Sequence, residues 1–159
     1  MKCIINDREI KYYPQTGIIK MRDYNYKDKP WKIKKCSCNG KGYLQIYIGD
    51  KKYYVHRVIY KLYHPEWDID NNSRENRIDH ENRNRIDNRI INLRNVTDQE
   101  NQFNTNAKGY CWDKKTKKWR AQIRSNGKNI HLGRFNNEED ARKAYLDAKQ
   151  IYHVINSRD

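Results

Sequence analysis

Short alternations of apolar and polar residues fill the first third of the chain. Residues 4–10, 12–21 and 32–36 read as brief strands, with turns signalled by Asn6-Asp7, Pro14-Gln15-Thr16-Gly17 and Lys29-Pro30. Tyr43-Leu44-Gln45-Ile46-Tyr47-Ile48 alternates in the same way and turns through Gly49-Asp50-Lys51-Lys52 into Tyr53-Tyr54-Val55, which makes a hairpin. The period then changes. Between residues 56 and 63, Val58, Ile59 and Leu62 recur at helical spacing, and His64-Pro65 closes the helix because proline disfavours the α conformation before it.

Residues 66–76 are polar and read as a loop. Residues 77–80 form a short strand, a turn-rich stretch follows, and residues 92–96 return as its partner. Thr97-Asp98-Gln99-Glu100 has the pattern of a capping box, with Thr97 as N-cap and Glu100 three residues on, so a helix carrying Asn101 is expected to start here. Asn104-Thr105-Asn106-Ala107-Lys108 is a polar boundary. Beyond it Ala121, Ile123, Ile130 and Leu132 share one strand parity, fit to face a helix, while Arg120, Gln122, Arg124, Asn129 and His131 take the other. The helix after Asn137 places Ala141, Ala144, Tyr145, Ala148 and Tyr152 on one face, with acids in its first turn.

Charge adds a partner to this outline. The 159 residues carry 34 Lys+Arg against 20 Asp+Glu, a formal net charge of +14. The excess is not confined to a tail: residues 107–159 hold 13 basic and 6 acidic side chains, and the remainder is basic too. Both halves are therefore expected to touch a polyanion, with nucleic acid leading and, on the resemblance given below, double-stranded DNA. No long apolar run or broad amphipathic basic helix supports a membrane, and the N-terminus lacks the apolar stretch of a signal peptide. The expected location is the cytoplasm, that of the host cell if the gene is viral. Thirteen Tyr and four Trp suit a small core with polar tips at a wet interface. Of the four cysteines, Cys36 and Cys38 form a C-x-C while Cys3 and Cys111 stand alone, so free, partly buried thiols are expected rather than a zinc site.

The chemistry gathers between Arg77 and Asn104. Asp79 offers a hard oxygen ligand, His80 beside it a neutral nitrogen base, and Asn92 and Asn101 neutral oxygens that can orient a ring or complete a metal shell. Arg83, Arg85, Arg89 and Arg94 surround them, the side chain best suited to holding phosphates. Asp79-His80, Asp87-Asn88-Arg89, Asn92-Leu93-Arg94, Thr97 and Asn101 together resemble the core of the HNH endonucleases, in the branch common in phages and mobile introns. Val55-His56-Arg57-Val58-Ile59-Tyr60 resembles the helix that precedes this core. The last histidine position of the motif falls on Asn101, a departure also seen in some homing members.

That resemblance implies a ββα-metal nuclease core. In it His80 is the general base, Asn92 pins the loop that orients it, and Asp79 and Asn101 hold one divalent cation, Mg²⁺ or alternatively Mn²⁺. Arg57, Arg83, Arg85, Arg89 and Arg94 are expected on DNA, and His56 either touches substrate or braces the metal site. Gly109-Tyr110-Cys111-Trp112, Lys118-Trp119-Arg120-Ala121-Gln122-Ile123-Arg124, Leu132-Gly133-Arg134-Phe135 and Glu138-Glu139-Asp140-Ala141 are similar to an AP2 domain, a three-stranded antiparallel sheet backed by a helix that docks in the major groove. Arg120, Gln122, Arg124, Asn129 and His131 would be its DNA contacts. The expected architecture is α+β: a nuclease domain with an N-terminal β-rich region over 1–106, then an AP2-like domain over 107–159. The expected function is a homing-type, metal-dependent DNA endonuclease, monomer or homodimer. A catalytically inactive DNA-binding regulator and a restriction-type endonuclease are the alternatives.

Overall fold

Two tight turns set the first sheet. Asn6 and Asp7 both take positive φ (47° and 54°), the backbone of a two-residue hairpin turn that matches the right-handed twist of its strands. They join β1 (Lys2–Ile5) to β2 (Arg8–Tyr13), and the 14–17 turn leads to β3 (Ile18–Asp23) and β4 (Lys32–Lys34). The four strands are antiparallel in chain order. A computed structural model describes residues 1–26 and 28–156 of the chain. It is a mixed α and β structure that divides into two compact units, Met1–Asn95 and a second that begins at Val96.

In the first unit β5 (Ser37–Cys38), β6 (Leu44–Ile48) and β7 (Lys51–Tyr54) form a second antiparallel sheet, and β7 runs directly into α1 (Val55–Tyr63). Ile10, Ile19, Ile46, Ile48, Val58, Ile59 and Tyr60 are the deepest residues of one core shared by both sheets and the helix. The apolar face expected for α1 is buried, but so are its polar residues His56 and Arg57. Helix α1 is thus wrapped nearly all round, and its polar groups must find partners inside.

Arg57 finds them in the 64–76 segment, which is not a free loop. Its Nε and Nη2 donate to Ile69 O (3.2 and 2.7 Å), Nη2 also to Asn71 O (2.9 Å), and Nη1 to Asn76 O (3.2 Å). The guanidinium lies 4.6 Å from the Trp67 ring centroid, and Trp67 Nε1 donates to Asn76 Oδ1. Arg57, expected on DNA, is buried in the structure. Its donors are turned onto the backbone carbonyls of this segment, that of Asn71 being shared with Asn76 Nδ2 (2.7 Å). The segment delivers the chain to β8 (Arg77–His80), which pairs with β9 (Leu93–Val96).

The second unit begins with α2 (Asp98–Phe103), where the expected capping box is present: Glu100 N donates to Thr97 Oγ1 and Thr97 N to Glu100 Oε2. Strands β10 (Tyr110–Asp113), β11 (Lys118–Ser125) and β12 (Lys128–Phe135) make an antiparallel sheet against which α3 (Glu138–Tyr152) packs. Ala121, Ile123, Ala141, Tyr145 and Ala148 are buried there, whereas Tyr152, expected on the inner face, is 40% exposed. The Tyr152 carbonyl still accepts from Ser125 Oγ on β11 (3.4 Å), so the backbone stays at the sheet while the ring turns outward. Gly109 sits at φ +68° with the Tyr145 ring so close that a Cβ would lie 2.0 Å from Cε2. Phe103 stacks on His153 at 4.1 Å, and Asn156 N donates to Glu100 Oε1, so α2 packs with the elements that follow it. The units therefore divide ahead of α2, upstream of the boundary expected at 106/107.

Candidate active site

Strand β8 ends on Asp79 and His80, both buried. The chain then makes a loop tied by its own amides. Arg83 N donates to His80 O (2.8 Å) with Arg83 at φ 63°, and Glu81 N donates to Asn92 O (2.9 Å). Asn82 Oδ1 accepts from Asn84 N, Asn84 Oδ1 from Ile86 N, and Asp87 Oδ1 from Arg89 N, a succession of side-chain-closed turns. Asn92 clamps the two limbs: its Oδ1 accepts from Asn82 N (2.9 Å) and its Nδ2 donates to Asp87 O (2.7 Å). Asp87 also takes a fork of bonds from Arg89 at 2.8 and 2.7 Å, which with Asn82 Nδ2 holds its carboxyl far below the usual range.

The loop presents Asn88 to the imidazole. Asn88 Oδ1 lies 2.9 Å from His80 Nε2, and Asn88 Nδ2 donates to Ile86 O (3.3 Å). The second bond fixes which end of the amide faces the ring. Nε2 therefore carries the proton and Nδ1 the lone pair. Two rings flank His80, His56 edge-on at 5.0 Å and Tyr43 tilted at 5.9 Å, and Tyr54 stacks in turn on His56 at 5.4 Å. Burial lowers the His80 pKa, while the Asn88 bond works against it. Burial pushes His56 down to about 3, with His80 and Arg57 adding to the effect. His56 Nδ1 is buried without a hydrogen-bond partner.

Asp79 meets Arg94 across the hairpin: Nε and Nη2 lie 3.1 and 2.9 Å from Asp79 Oδ2, and Nη1 is 3.7 Å from Glu81 Oε1. Arg94 is expected on DNA from its sequence position. With only 16% of its side chain exposed, it instead neutralises the carboxylate next to His80. Arg85 lies 4.9 Å over the Tyr43 ring and donates to Lys41 O, while Arg83 and Arg89 are exposed at the rim of the loop. Among the described residues no cluster of three or more His, Cys, Asp or Glu is placed to hold a metal, and the four cysteines are free. A cation at Asp79 fits the donor chemistry only if Arg94 gives up its hold on Oδ2. The group there is a hard carboxylate oxygen already matched by a positive charge, and Arg94 has Glu81 within reach as a second partner.

In the second unit the sheet has the expected parity. Gln122, Arg124, Asn129 and His131 are exposed opposite buried Ala121 and Ile123, and a bulge between Ala121 and Gln122 re-aims the strand. Arg120 differs. It faces Cys111 and Arg134 across the strands, and its Nε is buried without a partner. Asn101, on α2, donates its backbone N–H to Thr97 O (2.9 Å) and is half-buried.

Sequence reasoning passed over Asn88, Asn82 and Tyr43. Asn88 had a signal, its place inside Asp87-Asn88-Arg89; Tyr43 had none, because it reaches His80 from a different sheet. A family model described as HNH endonuclease matches residues 53–103, from β7 through α2. Comparison with curated proteins and with solved structures gives no match.

Proposed function

We propose that the protein is a divalent-metal-dependent DNA endonuclease of the homing type. The observation that carries this reading is the buried His80 imidazole, oriented through Nε2 by Asn88 in a loop clamped by Asn92, immediately beside Asp79. The match over 53–103 supports it. His80 Nδ1 takes a proton from a water molecule, and burial favours the neutral imidazole that this requires. The water oxygen attacks the phosphorus of a phosphodiester, and the 3′ oxygen leaves with the P–O bond's electrons and takes a proton from solvent, giving a 5′ phosphate and a 3′ hydroxyl.

Asp79 would hold the cation, and bound there Mg²⁺ or Mn²⁺ would supply positive charge to the scissile phosphate and the leaving oxygen. Arg94 aligns the Asp79 carboxylate and has Glu81 as a second partner. Asn92 and Arg89–Asp87 hold the loop so that Asn88 stays on the ring. Arg83, Arg85 and Arg89 line the rim as phosphate contacts. The AP2-like sheet supplies target affinity, with Gln122, Arg124, Asn129 and His131 toward base edges and Arg120 nearer the strands it bridges.

The test is nicking of supercoiled plasmid with Mg²⁺ or Mn²⁺, with and without chelator, by the wild type and by His80→Ala. The wild type should nick only with metal, and the variant should be slower by roughly 10²–10⁴-fold with its duplex affinity retained. A variant that cuts within threefold of wild type removes His80 from the role of base. A wild type that binds duplex but never nicks leaves the inactive regulator.

A further inference from the structure

The β1–β4 sheet has a second face that neither the core nor the His80 site uses. Ile10, Tyr12, Ile19 and Met21 point into the core, so Lys2, Glu9, Lys11, Tyr13, Lys20 and Arg22 take the outer parity. The register sets three lysines in one cross-strand row: Lys2 opposite Lys11, and Lys11 opposite Lys20. Like charges directly opposed on neighbouring strands are destabilising, since the strands lie about 4.8 Å apart. Folding alone does not favour such a row.

Aromatic rings pin the charges in place. Trp31, just ahead of β4, has Arg22 4.7 Å, Lys2 5.8 Å and Lys11 6.0 Å from its ring centroid. Tyr13 has Lys11 and Lys20 each at 5.2 Å. Glu9 is the acid on this face, bonded to Arg22 at 2.6 Å and 3.5 Å from Lys2, which leaves Lys11 and Lys20 with rings rather than carboxylates. On the edge strand Ile33, opposite Lys20, takes the outer parity and is exposed, whereas Lys32 and Lys34 take the parity of Met21 and Ile19. The result is a twisted basic surface with flat rings beneath it, complementary to a backbone of regularly spaced phosphates.

We infer that the outer face of the β1–β4 sheet is a second DNA-binding surface, which grips the sugar–phosphate backbone of duplex DNA without reading sequence. The choice of DNA as the polyanion rests on the nuclease reading; the surface itself does not. The lysine row makes the electrostatic contacts, and the cation–π contacts hold each ammonium raised. Phosphate binding then relieves a repulsion that the free protein carries.

The experiment uses the full chain with chelator present, so that binding is read without cleavage. Affinity for a random-sequence duplex is measured at several salt concentrations for wild type, Lys11→Gln/Lys20→Gln and Lys11→Arg/Lys20→Arg. The Gln pair should bind about tenfold or more weakly at low salt, with a log–log salt slope shallower by roughly 1.8, for two lost phosphate contacts. Its melting temperature should equal or exceed that of wild type, because the opposed charges are gone. The Arg pair should bind as wild type does. Unchanged affinity and slope in the Gln pair overturn the proposal even if the wild type nicks plasmid. A loss confined to anionic phosphatidylserine vesicles, with duplex binding intact, overturns it too. If the wild type never nicks but the Gln pair loses duplex affinity, the surface stands and the nuclease reading falls.

Discussion

Arg57 and Arg124 sit in regions that use one side chain in opposite directions. Arg57 turns its donors inward onto Ile69, Asn71 and Asn76 carbonyls and holds the segment leading into β8. Arg124 stands on the exposed parity of β11, paired in the ladder with Asn129, and its carbonyl meets His153 Nε2 at 2.9 Å. The same division runs through the asparagines. Asn82, Asn84, Asn88 and Asn92 are committed to the loop after His80, whereas Asn129 is exposed on β12. Chemistry needs groups fixed before substrate arrives, and recognition needs donors still available when it does. A count of arginines in the sequence therefore overstates how many can meet DNA.

Arg57→Ala should give the largest effect on the inward side. It strips three carbonyls of a charged donor and should cost on the order of 3 kcal/mol or more in stability. Thermal or urea unfolding followed by far-UV circular dichroism checks this. A loss of duplex affinity with no loss of stability would instead return Arg57 to the DNA surface.

Gly109→Ala should come next, at about 2–3 kcal/mol, because the added methyl meets the Tyr145 ring and the left-handed backbone strains any other residue. The readout is the unfolding of the second unit, and the outward-facing residues of β11 should lose target affinity along with it. Gly109 O also accepts from Gln122 N at 2.8 Å, beside the bulge. An alanine variant with wild-type stability would mean that the ring moves aside freely.

Arg124→Ala should leave stability untouched and cost about 1–3 kcal/mol in binding to a preferred duplex. If Arg124 reads a base, affinity for target falls more than affinity for scrambled duplex; a uniform fall with a shallower salt slope marks a phosphate contact. A drop in melting temperature comparable with that of Arg57→Ala would erase the contrast between the two regions.

What could be read from the sequence was local. The capping box at Thr97 and Glu100, the 77–80 strand, the parity of β11 and the end of α1 at His64 each depend on residues within a turn or a strand of one another. The inward role of Arg57 was illegible because its partners come from 12 to 19 residues away. Arg94 looked like a phosphate ligand for the same reason: only the pairing of β8 with β9 brings it to Asp79. The lysine row needs the register of three strands, which alternation alone leaves open. Asp79, His80 and Asn92 were legible as a set because one short segment carries them all.

The packing of α2 has a consequence for how such a chain can be recombined. Phe103 rests on His153, Glu100 accepts from Asn156, and Gln99 donates to Asn126 at 2.8 Å, all partners that lie well downstream. A cut after Asn106 looks clean in the sequence, yet it would strip the helix bearing Asn101 of the residues that hold it. An exchange that gave this protein a new DNA-reading sheet would have to keep those three partners or replace α2 along with them. The compact units part ahead of α2, so a new DNA-reading sheet would bring α2 and Asn101 with it.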